Sequence, residues 1–458
     1  MAKILNFVFL FVFVCCTIDC NAGPDDDLLN ACKSGKLDAV KKAIAEGAKV
    51  NGVDPSTTTP LSLAFFWPDI VKYLLENKAD PNLGNPNILY QATFYSSYDV
   101  LKLILDAGAD PNKPYTTDPA TTFKSLIATE KSKGKEANKA MIKAWESAME
   151  TLKPTEVYAL PTMVTHSNCV PCLKLLLDKG ASLEKGTTDG TLIHTFANSG
   201  ASKEYRNTVF AAIKTSVEKY GFVFPDWYTN MPNDRNGNPD EILKLLLGKG
   251  LDINQKNKSA TKMPDQTPLE MALGGGFGNK EEVTLALVNN GADIKTDSKW
   301  YGPLILQAAQ CGFPTVLKAM IEKGADINTE GKCFTDADNG AQISNFTPLT
   351  CAAAKNHLPA VKVLVEKGAS MQGISGSIVS GVCPAKLNNK SAIYFAIEHK
   401  NMDMVKYLVE HNAYDGKKLS ISAKKMTGCI GGGSYSPSEY AEELEANDLL
   451  EYLKKHNM

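Results

Sequence analysis

Histidine, cysteine and carboxylate side chains are where chemistry would begin, and the tightest such group is His166, Cys169 and Cys172. An imidazole and thiolates at three-residue spacing suit zinc, but a tetrahedral site wants a fourth ligand and none stands nearby. A Cys169–Cys172 disulfide or redox pair is a second reading. Simple packing is the third and favoured one, because the segment coincides with the turn into an apolar helix where Cys172 takes a core position. Cys32 and Cys351 fall at core positions of short helices and read as inert thiols. Cys333, Cys383 and Cys429 lie in three successive loops and allow one disulfide among them, which geometry must decide. The alternative is two or three free or exposed thiols.

Other combinations are weaker. Asp336, Asp338 and Asn339 offer calcium-friendly oxygens at the wrong spacing for an EF-hand loop. Gly431-Gly432-Gly433-Ser434 lacks the Lys-Ser/Thr of a phosphate-binding loop and reads as a flexible turn. No Ser/His/Asp arrangement or dinucleotide fingerprint is visible. Lys and Arg number 49 against 51 Asp and Glu, a formal charge of -2, which argues against nucleic acid or anionic lipid as a general partner. The sequence therefore assigns no catalytic residue, no metal and no cofactor.

The elements that would position any site are repeats. One phrase, an apolar helix end followed by Gly-Ala-Asp-x-Asn, occurs at Gly47-Ala48-Lys49-Val50-Asn51 and at Gly108-Ala109-Asp110-Pro111-Asn112. It returns at Gly180, Gly250, Gly291, Gly324 and Gly368, with degenerate copies at Lys78-Ala79 and Asn412-Ala413. A second phrase, Thr-Pro-Leu-x-x-Ala, interleaves with it at Thr59, Thr267 and Thr347, with weaker copies near Asn87, Thr191, Pro303 and Ser391. The tightest interval, Gly291 to Gly324, is 33 positions. With these phrases the chain resembles the ankyrin-repeat family, from Asp26 nearly to its end. The resemblance implies an all-α solenoid of stacked helix-turn-helix units with hairpin fingers over 26–458. It also implies a structural role for His194, which falls at the histidine of the family signature.

The phrases make physical sense. Thr caps a helix, and Pro fits the first helical position, where no N–H bond is lost. Glycine closes the second helix because the next backbone position is left-handed. One unit of about 33 residues cannot repay its own ordering entropy, so the units must stack. Ten units are counted. Two intervals are too long, placing insertions at about 116–155 and 199–238. Ala137, Met141, Ala144, Trp145 and Met149 give the first a helical spacing, which predicts a helical hairpin. The second carries Phe222, Phe224, Trp227 and Tyr228, either anchors for a partner or rings that pack the insertion onto its neighbours. Enlarged fingers are expected at 329–346, 372–390 and 414–435, rich in Gly, Ser, Asn and Asp.

The N-terminus reads as a signal peptide, 1–22. Lys3 precedes an apolar run over 4–16, and Cys20-Asn21-Ala22 places small residues where a signal peptidase reads, predicting cleavage after Ala22. The mature chain is then expected to be soluble, secreted or periplasmic, monomeric, and not inserted in a membrane. The function expected from the family is non-enzymatic protein binding through the concave helix faces and fingertips. The alternatives are an exported effector or toxin-neutralising protein, and an enzyme with its site in the insertions.

Overall fold

The computed structural model describes residues 23–458, apart from 55, 57, 96, 118–123, 125–126, 129, 132–138, 152–153, 168, 188–189, 200–237, 259–263, 275–279, 300–301, 334–340, 343–344, 379–384 and 424–431. The expected signal segment 1–22 lies outside them. Among the described residues, no helix is long and apolar enough to cross a membrane. The chain divides into two compact units, Met1–Leu251 and Asp252–Met458.

The first unit is built from short antiparallel helix pairs. In chain order they are α1 (Pro24–Ser34) with α2 (Leu37–Ala45), and α3 (Pro60–Leu63, continued by a 3-10 turn) with α4 (Pro68–Glu76). Next come α5 (Ile88–Phe94) with α6 (Tyr98–Asp106). Strands β1 (Tyr115–Thr117) and β2 (Thr155–Val157) then pair antiparallel around helix α7 (Lys139–Thr151). The pairs α8 (Ala159–Thr162) with α9 (Val170–Asp178), and α10 (Leu192–Ala197) with α11 (Pro239–Gly248), complete the unit. The first insertion thus rises from a two-stranded ladder, and Lys131 makes a 2.9 Å ion pair with Glu146 of α7. The second insertion separates the two helices of one pair, α10 and α11.

In the second unit the pairs are α12 (Pro268–Leu273) with α13 (Glu281–Asn289), and α14 (Leu304–Cys311) with α15 (Pro314–Glu322). Strand β3 (Ala341–Gln342) leads to α16 (Pro348–Ala354) and α17 (Leu358–Glu366). Strands β4 (Ile374–Ile378) and β5 (Ala385–Lys390) lead to α18 (Ala392–Glu398) and α19 (Met402–Glu410). Strands β6 (Leu419–Ala423) and β7 (Gly433–Tyr435) lead to the last pair, α20 (Pro437–Glu443) and α21 (Asn447–Lys455). Ten helix pairs are therefore present among the described residues, and within each unit each pair packs on the next. The five strands β3 to β7 form one antiparallel sheet in that order. An all-α chain is expected from the sequence; the structure is mostly helical, but its last three fingers are β-structure.

Local chemistry explains each pair. Thr267 caps α12 reciprocally: its Oγ1 accepts the Glu270 N–H at 3.2 Å, and its own N–H donates to Glu270 Oε2 at 2.6 Å. Ser436 and Glu439 repeat that arrangement at α20. His194 is buried, and its Nδ1 accepts the Thr191 N–H at 3.1 Å. The second helix buries one stripe, as with Val100, Leu101, Ile104 and Leu105 of α6. The first helices present small side chains to one another: Ala308, Ala309, Cys351, Ala352, Ala353 and Ala396 are fully buried.

Two hydrogen-bond ladders run between neighbours. The Asn82 amide oxygen accepts the Asp110 N–H at 2.7 Å, and the Asn112 oxygen accepts the Ser182 N–H at 2.7 Å. Asn51, Asn254 and Asn328 do the same for Asp80, Asp293 and Ser370. At the turn between helices, His357 Nε2 lies 3.1 Å from the Gln310 carbonyl, and His399 Nε2 lies 2.8 Å from that of Ala354. The His357 ring sits so close over Gly312 that an added Cβ would fall 2.6 Å from it, with no room for a side chain.

The residue ending each second helix is left-handed. Glycine fills this place at Gly324 (φ 88°) and Gly368 (φ 81°), but Lys78 holds it at φ 67°. A side chain there costs about 1–2 kcal/mol of backbone strain, partly offset by the entropy glycine loses. Lys78→Gly is expected to stabilise the protein by about 0.5–1 kcal/mol in urea unfolding, whereas Gly324→Lys lowers the midpoint.

Burial, opposed by the Gln310 carbonyl and reinforced by Lys355, holds His357 below the ordinary histidine value. The unfolded chain then takes up the proton first as pH falls. The contribution of His357 is complete above about pH 6.5 and is lost as pH drops through its folded value. Urea midpoints compared at about pH 7.5 and about pH 5 are expected to fall more in the native protein than in His357→Gln.

Candidate binding surface

The three enlarged fingers are held by side chains from the helices beneath them. At the base of the first, Gly331 and Phe346 exchange two backbone hydrogen bonds at 3.0 Å. Just beyond, Cys333 forms a disulfide with Cys351 of α16. This corrects two expectations. Cys333 pairs down into the helix rather than with another finger, and Cys351 is not an inert thiol. The physical reason is proximity: the finger turns back so that Gly331 pairs with Phe346, and the chain returns with Cys351 of α16 to within 5.7 Å of Cys333, Cα to Cα. Cys383 and Cys429 lie outside the described residues.

In the second finger, Asn389 is left-handed (φ 57°), and its Oδ1 accepts the Gly373 N–H at 3.1 Å. The Ser375 hydroxyl donates to Asn388 Oδ1 at 2.8 Å and accepts the Asn389 N–H at 3.1 Å. The third finger hangs on Tyr394 of α18. Its hydroxyl lies 2.9 Å from the Tyr435 carbonyl and accepts the Leu419 N–H at 3.0 Å. Burial, then the hydrogen bond to Tyr414, keeps this phenol neutral far above the usual tyrosine range. Beneath it, Glu398 Oε1 accepts from Lys390 Nζ at 2.5 Å and from the Tyr440 hydroxyl at 2.6 Å. Lys390 also lies over the Phe395 ring, 4.4 Å from its centroid. The cation is buried but multiply held, so β5, α18 and α20 are locked together.

Side-chain alternation gives the sheet two faces. Ile374, Leu387, Leu419 and Ile421 point into the core. Ser375, Lys386, Asn388, Ser420, Ser422 and Ser434 are exposed. Register places Lys386 opposite Ser422, and Asn388 opposite Ser420, which faces Ser434. The result is a polar surface of short hydroxyl and amide side chains around one lysine. The sequence carried a signal for it: Ile374-Ser-Gly-Ser-Ile378 and Leu419-Ser-Ile-Ser-Ala423 alternate with period two.

A family model of ankyrin repeats matches the chain in three copies, over residues 28–115, 234–331 and 332–419. The chain belongs to the ankyrin-repeat family. Two of the three ankyrin copies thus cover most of the second unit, including two of the enlarged fingers. The chain is also 30% identical over 132 residues to Alpha-latrocrustotoxin-Lt1a of Latrodectus tredecimguttatus. That match takes in 29% of this chain and spans only 8% of the toxin's length.

The remaining candidates are placed as follows. Phe222, Phe224, Trp227 and Tyr228 lie outside the described residues. Cys169 and Cys172 form a disulfide, which removes them as a thiolate pair for zinc and replaces the packing role expected for Cys172 alone. Among the described residues, no group of three or more His, Cys, Asp or Glu side chains could hold a metal ion. Asn257, Asn345 and Asn389 each begin an Asn-x-Ser/Thr triplet; Asn257 is buried, its Oδ1 accepting the Gln266 N–H at 2.9 Å.

Tyr394→Phe removes the hydroxyl that ties both β6 and β7 to α18. It is expected to cost about 1–2 kcal/mol in urea unfolding, the ordinary penalty for a buried unmet partner. Amide exchange at Leu419, followed by mass spectrometry, is expected to quicken well beyond that at residues of the first unit.

Proposed function

We propose that this ankyrin-repeat protein is a non-enzymatic scaffold, a solenoid that binds another protein through its first-helix faces and its fingers. The observation that carries the reading is the finger sheet. A disulfide, a tyrosine hub and a buried lysine tie the described parts of three fingers to the helices, while the outward face of the sheet carries short hydroxyl and amide side chains around Lys386. Display of polar side chains from a hydrogen-bonded sheet lowers the entropy cost of binding, and the family's general role in protein recognition supports the same conclusion. Export is part of the proposal: the N-terminal pattern favours a secreted or periplasmic, monomeric chain freed of residues 1–22, and an extracytoplasmic setting suits disulfides.

The likeness to a spider toxin, short as it is, favours one second reading, an exported effector that acts on another cell. Fractionation of the producing culture distinguishes an effector released to the medium from a periplasmic scaffold, which stays with its cells.

The test is crosslinking mass spectrometry of the full chain in its native compartment, repeated with Lys386→Glu combined with Asn388→Arg. These exposed changes, one of which gives up the Ser375–Asn388 hydrogen bond, are expected to alter stability by no more than about 1.5 kcal/mol. Recovery of crosslinked partners is expected to fall by about tenfold, a loss of about 1.4 kcal/mol in binding. An unchanged partner set would sink the assignment of the finger sheet.

A further inference from the structure

The Cys169–Cys172 disulfide is unlike the one that anchors the first finger. It joins two residues three positions apart at the start of α9, with Val170 and Pro171 between them. Cys169 is the N-cap of that helix, and its Sγ accepts the Cys172 N–H at 3.3 Å. Cys172 is fully buried, in a stripe with Leu173, Leu176 and Leu177. The backbone just before the pair, Met163–Ser167, is a π-helical turn, a wide form common near functional sites.

We propose that Cys169 and Cys172 form a thiol–disulfide exchange site that is reversibly reduced by a small-molecule thiol or a protein dithiol. Three independent features support it. The bridge closes a ring within a single helical turn, so opening it releases no long loop and leaves both sulfurs held by α9. The opened Cys169 sulfur remains at a helix N-terminus with a donor already aimed at it, an environment that stabilises a thiolate. Access is graded: Cys169 is 6% exposed and Cys172 0%, with Val170 half-buried and Pro171 exposed above them. An incoming thiol therefore reaches Cys169 first. Cys333–Cys351, by contrast, closes an 18-residue separation and joins a finger to a buried helix, so its opening frees a whole loop.

The exchange balances in two steps. An incoming thiolate attacks Cys169 Sγ, forming a mixed disulfide, and the electrons of the broken S–S bond leave on Cys172 Sγ, which takes up a proton. A second thiolate attacks the outer sulfur of that mixed disulfide. Cys169 leaves as its thiolate, and the two external thiols depart as one disulfide. Two external thiols are oxidised and the protein disulfide is reduced; an oxidised external disulfide drives the reverse.

The full chain is equilibrated across a series of reduced and oxidised glutathione ratios, quenched in acid, alkylated with N-ethylmaleimide and mapped by peptide mass spectrometry. Cys169 and Cys172 are expected to become labelled together at a ratio about tenfold less reducing than labels Cys333 and Cys351, with the circular dichroism unchanged. Cys172→Ser is expected to retain glutathione on Cys169, whereas Cys169→Ser retains none on Cys172. Joint reduction of both disulfides, reduction only where the chain unfolds, or preferential trapping on Cys172 would each overturn the proposal. The order of labelling in the unmutated chain decides the matter even if a variant fails to fold.

Discussion

An asparagine amide reaching from one repeat to a backbone N–H of the next sets the spacing on which the rest of this molecule depends. Asn82 shows how it is held: its own N–H donates to Asp80 Oδ1 at 2.8 Å, while its Oδ1 accepts from Asp110. Its Nδ2 also donates to the Gly108 carbonyl at 3.1 Å, just past the end of α6. Such exposed bonds contribute about 0.5–1.5 kcal/mol each, so their effect is geometric before it is energetic. With the step between repeats fixed, the alanine-rich first helices meet at close range. The burial that stabilises the array then follows, at about 25 cal/mol per Å² of apolar surface removed from water. Exposed ion pairs between second helices, such as Lys179–Asp106 and Lys367–Glu322, follow the same step and add little.

What the sequence makes legible is whatever repeats. Glycine after the second helix, threonine before the first, and asparagine in the tail each answer one local backbone demand, so each recurs wherever the demand does. Even the degenerate copies obey it, for Lys78 and Asn412 take the left-handed conformation that glycine takes elsewhere. The helix pairs and the family could therefore be read from residue types and intervals alone.

The finger sheet was harder to read because its demand is not local. Ser375 and Ser420 suggest a loop by composition, and only the pairing of strands from different repeats gives their alternation a meaning. The Cys333–Cys351 bridge was missed for a related reason. Counting cysteines by finger groups Cys333 with Cys383 and Cys429, whereas the chain turns back at the finger and brings Cys351, 18 positions along, beside Cys333. Cys351 then looked like core because it is core, and a buried thiol within reach of a partner needs coordinates to be recognised as one.

Linear arrays ordinarily melt from their ends, since a terminal repeat has one neighbour where an inner one has two. The lateral pairing of three successive fingers changes that arithmetic for the repeats that carry them. Strands β6 and β7 bind the pair α20/α21 to its neighbour α18/α19 through β5 and the Tyr394 hydroxyl, and β5 continues through β4 to β3. The repeats that carry these fingers are therefore joined twice, by stacked helices and by a shared sheet, the arrangement in which neighbouring pairs open as a wider cooperative unit. A row of helix pairs held only by stacking lacks this second connection.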